Sequence, residues 1–408
     1  MGGAHALLRV RPAARARWKA AGPCTGTGMR GYRPGHDRRL PRGLTMDVYF
    51  NEAATDAVPD RPPSPRWFHR RLPGYRPSPL VRCPELAALL HVGEVWVKDE
   101  SKRLGLPSFK MLGASWATYR ALEERARGAF GDWNTFGELQ AGVAALGPLT
   151  LACATDGNHG LAVARMARLL GLSAHVLVPA GVAPARIDAI ADEGARVETV
   201  HSTYDEAVAK SAELADDDTL VISDTSWPGY ERIPRWAIEG YATIFEETDE
   251  QLSGHSADHV VVQMGVGALA AAVTRHFRGG QRPARVIGVE PADAACVMKS
   301  LACGVPTGVP GPHTSVMDGL NCGLPSGVAW PALREGLDAT VTVDDDATAE
   351  AMRRLAELQI DSGPSGAAGL AGITSLLSSS YAEEARERLE LSTGSSVLLI
   401  STEGPTVV

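Results

Sequence analysis

The sequence predicts an α/β protein in which parallel-rich twisted sheets are covered by helices on both faces. Three observations carry that expectation. From about residue 145, short apolar runs alternate with stretches of helical period. Glycine-rich turns follow two of those runs, at 155–160 and 264–269. The chain has 408 residues, 44% of them hydrophobic, enough for two or three domains and a sizeable core. Strands spaced by helices of roughly 10–15 residues make βαβ units, and hence a parallel sheet with helices on both sides.

In chain order, Leu149–Ala154 reads as a strand of small and apolar residues, and Leu161–Leu170 as a helix carrying Leu161, Val163, Ala164, Met166 and Ala167. Ala174–Val178, Arg196–Val200 and Leu220–Ser223 read as further strands, separated by helices over Ala183–Glu193 and Tyr204–Ala215. Later strands are expected at Val260–Gln263, Val286–Val289, Ala339–Val343 and Val397–Ser401, with a helix over Ala347–Leu358 between the last two.

Composition excludes several classes. The 43 glycines and 27 prolines show no repeat, so neither a collagen nor a low-complexity chain fits. There is no apolar run of the ~18 residues that a membrane helix needs. The six cysteines are too scattered for a disulfide scaffold and form no CxxC pair, so a structural zinc is not expected. Charge is uneven. Residues 1–45 hold ten basic side chains and one acid, and the remaining 363 residues carry a net −17. A body this acidic is a poor partner for nucleic acid. Residues 1–45, rich in Arg, Ala, Gly and Pro without apolar periodicity, are expected to be disordered. They read as a transit peptide, as a basic interaction arm, or as an upstream start-site artefact with translation beginning at Met46.

Parallel sheets bind ligands at strand carboxyl ends, on glycine turns and helix N-termini. After the strand ending at Ala154 comes Thr155-Asp156-Gly157-Asn158-His159-Gly160. After the strand ending at Gln263 comes Met264-Gly265-Val266-Gly267-Ala268-Leu269, a small-residue turn whose N–H groups can cradle a phosphate. It is neither a Walker loop nor a GxGxxG, because position 270 is Ala. A tight packing turn explains it equally well. Lys110 sits in Ser108-Phe109-Lys110-Met111-Leu112-Gly113, at a helix start and in an apolar setting. Burial of that kind depresses an ammonium pKa and suits Schiff-base chemistry, although most lysines are simply solvated. Asp156 and Asp224 are also ordinary turn residues, as a helix cap and an Asx turn.

Taken in this order, the set resembles the fold-type II pyridoxal-phosphate enzymes, the group of threonine dehydratase, serine racemase and tryptophan synthase β. The resemblance implies that Lys110 carries pyridoxal 5'-phosphate. It implies that Asn158 meets the cofactor's ring hydroxyl, and that Gly265, Val266, Gly267, Ala268 and Leu269 hold its phosphate. Thr402, with Ser401 as the alternative, would face the ring nitrogen. Within the group the chain is most similar to the diaminopropionate ammonia-lyase family. The motifs are Phe109-Lys110-Met111-Leu112-Gly113, Thr155-Asp156-Gly157-Asn158-His159-Gly160, Asp224-Thr225-Ser226-Trp227-Pro228-Gly229-Tyr230-Glu231 and Ser401-Thr402-Glu403-Gly404. Pro228, Met264 and Pro405 depart from that family's pattern.

That likeness implies α,β-elimination of D- and L-2,3-diaminopropionate to pyruvate and two ammonia molecules. Lys110, Asp156 and Asp224 are then the catalytic residues, and no metal is implied. Lys110 would be the base for the L-enantiomer and Asp156 for the D-enantiomer. Asp156 or Asp224 would donate a proton to the leaving amine. His159 receives no catalytic role, and Trp227 and Tyr230 are read as core or pocket wall. A serine or threonine dehydratase, or a β-replacement enzyme of the same fold, is the competing reading. The resemblance further implies a cytoplasmic homodimer with a small amino-acid substrate. It implies a large cofactor-binding domain of 46–112 with 236–408, and a small domain of 113–235, with the active site between them. Cys296 and Cys322 occupy positions where that family carries a pair able to form a disulfide, and two buried thiols are the other reading.

Overall fold

The computed structural model describes residues 32–33, 46–55, 64–201, 204–279 and 282–405. Apart from Tyr32–Arg33, the basic segment 1–45 lies outside the described residues, and so does the choice among its three readings.

The described strands form two sheets. They are β1 (Tyr32–Arg33), β2 (Val48–Phe50), β3 (Leu80–Arg82), β4 (Glu94–Asp99), β5 (Thr150–Ala154), β6 (Ser173–Pro179), β7 (Arg196–Val200), β8 (Thr219–Val221), β9 (His259–Gln263), β10 (Arg285–Pro291), β11 (Ala339–Val343) and β12 (Ser396–Ser401). One sheet has the order β1-β2-β11-β10-β9-β12-β4-β3, and the other β7-β6-β5-β8. The second sheet is parallel throughout. The first is parallel from β11 to β4 and antiparallel toward both edges, where β2 and β3 join it. Every strand expected from β5 onward is present, within a few residues of the expected bounds.

Why β9 and β12 lie centrally is written in their side chains. Val260, Val262, Leu398 and Ile400 fall in one buried cluster. Val261, Val397 and Leu399 fall in another on the opposite face. A strand buried on both faces must be apolar at every position, which removes the alternation of a half-exposed strand. Each such side chain contributes about 1.5–3 kcal/mol by its burial. Strand β4 has such a run only over Val95, Trp96 and Val97, and then carries Lys98, a charge in a core position with no exposed surface at all.

Helix Lys110–Ala126 is held against helix Arg232–Gly240 by the absence of two side chains. A Cβ on Gly113 would lie 2.5 Å from the Tyr241 ring, and one on Gly240 2.6 Å from the Leu112 carbonyl. The buried His69 ring adds a contact of 3.0 Å to that same carbonyl. The segment before Lys110 is tied to the chain beyond β12: Phe109 N donates to Thr402 O (3.2 Å) and Gly404 N to Pro107 O (2.9 Å). Lys110 is therefore fixed at the end of the central strand. Among the described residues, no helix is long and apolar enough to cross a membrane.

Candidate active site

A cleft lies where the carboxyl ends of β5, β9 and β12 meet the chain just beyond β8. Lys110, Asp156, Asn158, Asp224, Gly265, Val266, Gly267, Ala268, Leu269 and Thr402 all line it, although they come from widely separated parts of the chain. Ser401 does not; its hydroxyl donates to Ser362 Oγ at 2.9 Å, turned into the interior.

Lys110 is the first residue of its helix. Its Nζ donates to Asp224 Oδ2 at 2.5 Å. The depressed lysine expected from the sequence is not what the fold builds. Burial does work to lower the pKa, but Asp224, aided by Tyr241 and Asp156, outweighs it and holds the ammonium well above its ordinary range. Reciprocally, burial pushes the Asp224 carboxyl up, while Lys110 and His159 overcome that and hold it well below the usual range. Asp156 has the reverse fate. Burial raises it to about 6 against the partial opposition of Lys110 and Arg186. Of the two carboxylates facing one lysine, one is locked as an anion and the other titrates close to neutrality.

Asn158, read from the sequence as part of the strand-to-helix turn, is the first residue of the helix, and His159 is the helix-start residue that the sequence suggests. The helix begins at Asn158, because Gly157, with φ +152°, supplies the bend. Asn158 Nδ2 donates to Glu403 Oε2 at 2.5 Å, and Glu403 Oε1 accepts from Ser365 N at 3.0 Å. His159 Nε2 meets the Ile222 carbonyl at 2.7 Å, so the ring ties the helix to the end of β8, and burial holds its pKa down. Trp227 and Tyr230 do not line the cleft. They stack at 4.0 Å, and the Tyr230 hydroxyl donates to Val221 O (2.6 Å) and accepts from Ser223 N (3.0 Å). They buttress the backbone that presents Asp224.

At positions 265 and 267 the loop after β9 leaves no ready room for a side chain. A Cβ on Gly265 would lie 2.9 Å from Cys322 Sγ, and one on Gly267 would lie 2.4 Å from Leu333 Cδ1. Gly267 also has φ +87° and caps helix Ala268–Phe277. First-turn N–H groups have no partner within their own helix, so this end suits an anion. Cys296 and Cys322 flank the same loop: Cys296 Sγ is 3.7 Å from Gly265 O. Both are buried and no disulfide joins them. Several wall residues escaped the sequence reading. Arg186, from helix Pro184–Asp192, donates to Asp156 O at 3.1 Å and pairs with Asp318 at 3.2 Å. Tyr204, Gln263, Ser365 and Glu403 are among the others. Glu403 stands inside a quoted motif, but only its partners give it meaning. Nothing in the helical pattern marks Arg186.

An amine, an amide, a hydroxyl and an anion cradle at separate corners of one cleft suit a flat phosphorylated aldehyde. That defines a class, the enzymes that work through pyridoxal phosphate. A family model for pyridoxal-phosphate dependent enzymes matches residues 71–403, and the chain belongs to that family, in its diaminopropionate ammonia-lyase branch. It is 37% identical over 353 residues to diaminopropionate ammonia-lyase of Escherichia coli K12, covering 84% of this chain and 88% of that one. The crystal structure of the Escherichia coli lyase with an aminoacrylate-PLP azomethine reaction intermediate matches with a TM-score of 0.78 at 34% identity, over 89% of this chain and 94% of that one. The structure of that lyase with D-serine matches with a TM-score of 0.77 at 33% identity, over 89% and 95%.

Proposed function

We propose that the protein eliminates ammonia from 2,3-diaminopropionate of either configuration: one diaminopropionate and one water give pyruvate and two ammonia. The observation that carries this is the unequal carboxylate pair, Asp156 and Asp224, facing Lys110 in one cleft. An ionised carboxylate holds a β-ammonium group by a charge-assisted hydrogen bond, which a β-hydroxyl cannot match.

Bound at Lys110, pyridoxal phosphate supplies an electron sink that acidifies the substrate Cα–H. Lys110 Nζ would hold the cofactor covalently until the substrate amine displaces it. The N–H groups of Gly265–Leu269 would hold the phosphate, Asn158 Nδ2 would donate to the ring hydroxyl, and Thr402 would meet the ring nitrogen. Lys110 Nζ, freed from the cofactor as a neutral amine, would take the Cα proton of the L-enantiomer from one side and become the ammonium that Asp224 favours. An Asp156 carboxylate takes that of the D-enantiomer from the other. With a pKa of about 6, Asp156 both accepts a proton and returns it to the departing β-amine. Asp224, held ionised, stabilises the ammonium forms of Lys110 and substrate and donates nothing. The enamine left behind hydrolyses to pyruvate and the second ammonia. That the Escherichia coli relative forms a complex with D-serine supports entry of D-amino acids.

The same reading divides the chain into a large domain of 46–112 with 236–408 and a small one of 113–235. The four-stranded sheet, which falls wholly within the latter range, supports it. It includes assembly as a homodimer and a cytoplasmic setting. A keto-acid and ammonia assay across amino acids of both configurations tests the activity. Diaminopropionate should lead in both series, and faster turnover of serine would favour the dehydratase.

A further inference from the structure

One amide in the wall of the cleft has no part in the chemistry above. Gln263 ends β9 and is 3% exposed. Its Nε2 donates to Thr402 Oγ1 at 2.8 Å, to Ile400 O at 2.9 Å and to Gly366 O at 3.2 Å. Two of those three acceptors are backbone carbonyls, which cannot donate. Rotating the amide by half a turn would set its oxygen against both of them. The carbonyls therefore settle which end of the amide faces Thr402, and it is the donor end.

That has a consequence for a hydroxyl with a single hydrogen. Thr402 is 2% exposed and lines the cleft. Its oxygen accepts one Nε2 hydrogen at 2.8 Å, and the other goes to Ile400 O at 2.9 Å and is shared with Gly366 O at 3.2 Å. The hydroxyl hydrogen is left for a partner on the cleft side. We infer that Gln263 is a positioning residue that orients the Thr402 hydroxyl as a hydrogen-bond donor into the cleft. The group it selects is an aromatic ring nitrogen with a free lone pair; a protonated ring nitrogen would meet a hydrogen in place of an acceptor. An unprotonated ring draws less electron density from Cα, which favours expulsion of a β-leaving group over return of the proton to the cofactor. The side chain thus acts on reaction type without touching substrate. The inference rests on the reading of the cleft as the pyridoxal-phosphate site.

The test is nitrogen-15 NMR of the holoenzyme reconstituted with pyridoxal phosphate labelled at the ring nitrogen. It is run on wild type, Gln263→Met, Thr402→Val and the double variant, with borohydride trapping at Lys110 in each sample. Wild type should give an unprotonated, hydrogen-bonded ring nitrogen. Gln263→Met keeps the volume but offers no donor, so nothing directs the Thr402 hydroxyl hydrogen toward the cleft. Its resonance should move to where Thr402→Val places it, with no further change in the double variant. Cofactor dissociation should become roughly tenfold easier in both single variants. A trapped imine with a wild-type resonance in Gln263→Met overturns the inference. So does a protonated ring nitrogen in wild type, which needs no variant to fold. Failure to trap any imine in wild type overturns the functional reading and this inference with it.

Discussion

Two sets of buried charge lie on either side of the Lys110 helix start, and they are built on opposite principles. The first joins Lys98 and Arg103 to Glu100 and Glu247, all at most 1% exposed. Lys98 Nζ has three partners, Ser78 O, Glu247 and Gln251, at 2.8–2.9 Å. Arg103 reaches both oxygens of Glu100 and both of Glu247. Two cations face two anions, and burial's upward push on Glu247 is overcome by Arg103 and Lys98, which hold it at about 2. The second set is the cleft, where one lysine faces two aspartates. Asp224 takes the lysine, and among the described residues no ion pair reaches the Asp156 carboxylate. A charge balanced on every side holds a shape and is inert. A carboxylate left over from such a balance has its pKa raised to about 6 by burial, so it can both take and return a proton.

The comparison can be broken at its strongest point first. Lys110→Ala removes the cation both aspartates face and the amine that would carry the cofactor. Elimination should fall to background, and borohydride should fix no cofactor in the protein. Labelling of a different lysine in wild type would misplace the whole site.

Next in size is the unbalanced carboxylate. Asp156→Asn keeps the shape and removes the basicity. Turnover of D-diaminopropionate should drop by about 10²–10⁴-fold while much of the L-activity survives. The D/L ratio of kcat/KM is the measurement. An unchanged ratio would reduce Asp156 to a turn residue or a leaving-group acid shared by both isomers.

The balanced network answers in stability. Glu247→Gln leaves Lys98 and Arg103 facing a single carboxylate, and should cost about 3–5 kcal/mol in urea unfolding. The D/L ratio should stay at its wild-type value. A shift in the ratio with stability intact would mean that the two charge sets are coupled.

A pH series sharpens the contrast. Asp156 must be ionised to act as a base, and burial has raised its pKa to about 6. For the D-enantiomer, kcat/KM should therefore fall about tenfold per pH unit below that value, a limb that Asp156→Asn lacks. Asp224, held far lower, should contribute no limb there. The smallest effect is expected at Tyr230→Phe, which removes two hydrogen bonds behind Asp224. About 1–2 kcal/mol of stability should go, with little change in either isomer's kcat.

The amino-acid sequence alone determined the strands from β5 onward, because a doubly buried strand needs a continuous apolar run and a helix needs its period. It also determined the order of the glycine turns and the singular setting of Lys110, since turn chemistry is local. Other features rest on groups far apart in the chain, and only the tertiary structure decided them. Strand β4 was hidden because Lys98 is tolerable in the core only once Glu247, 149 residues away, is beside it. Thr402 and Ser401 are neighbours with similar hydroxyls, and the fold separates them by turning one to Gln263 and the other to Ser362. Asp156 and Asp224 read alike in sequence. Lys110 lies 2.5 Å from one of them, 114 residues along the chain, and that single proximity makes one an anion and leaves the other to titrate. A pKa is set by burial and by distances to other charges, and a linear sequence contains neither.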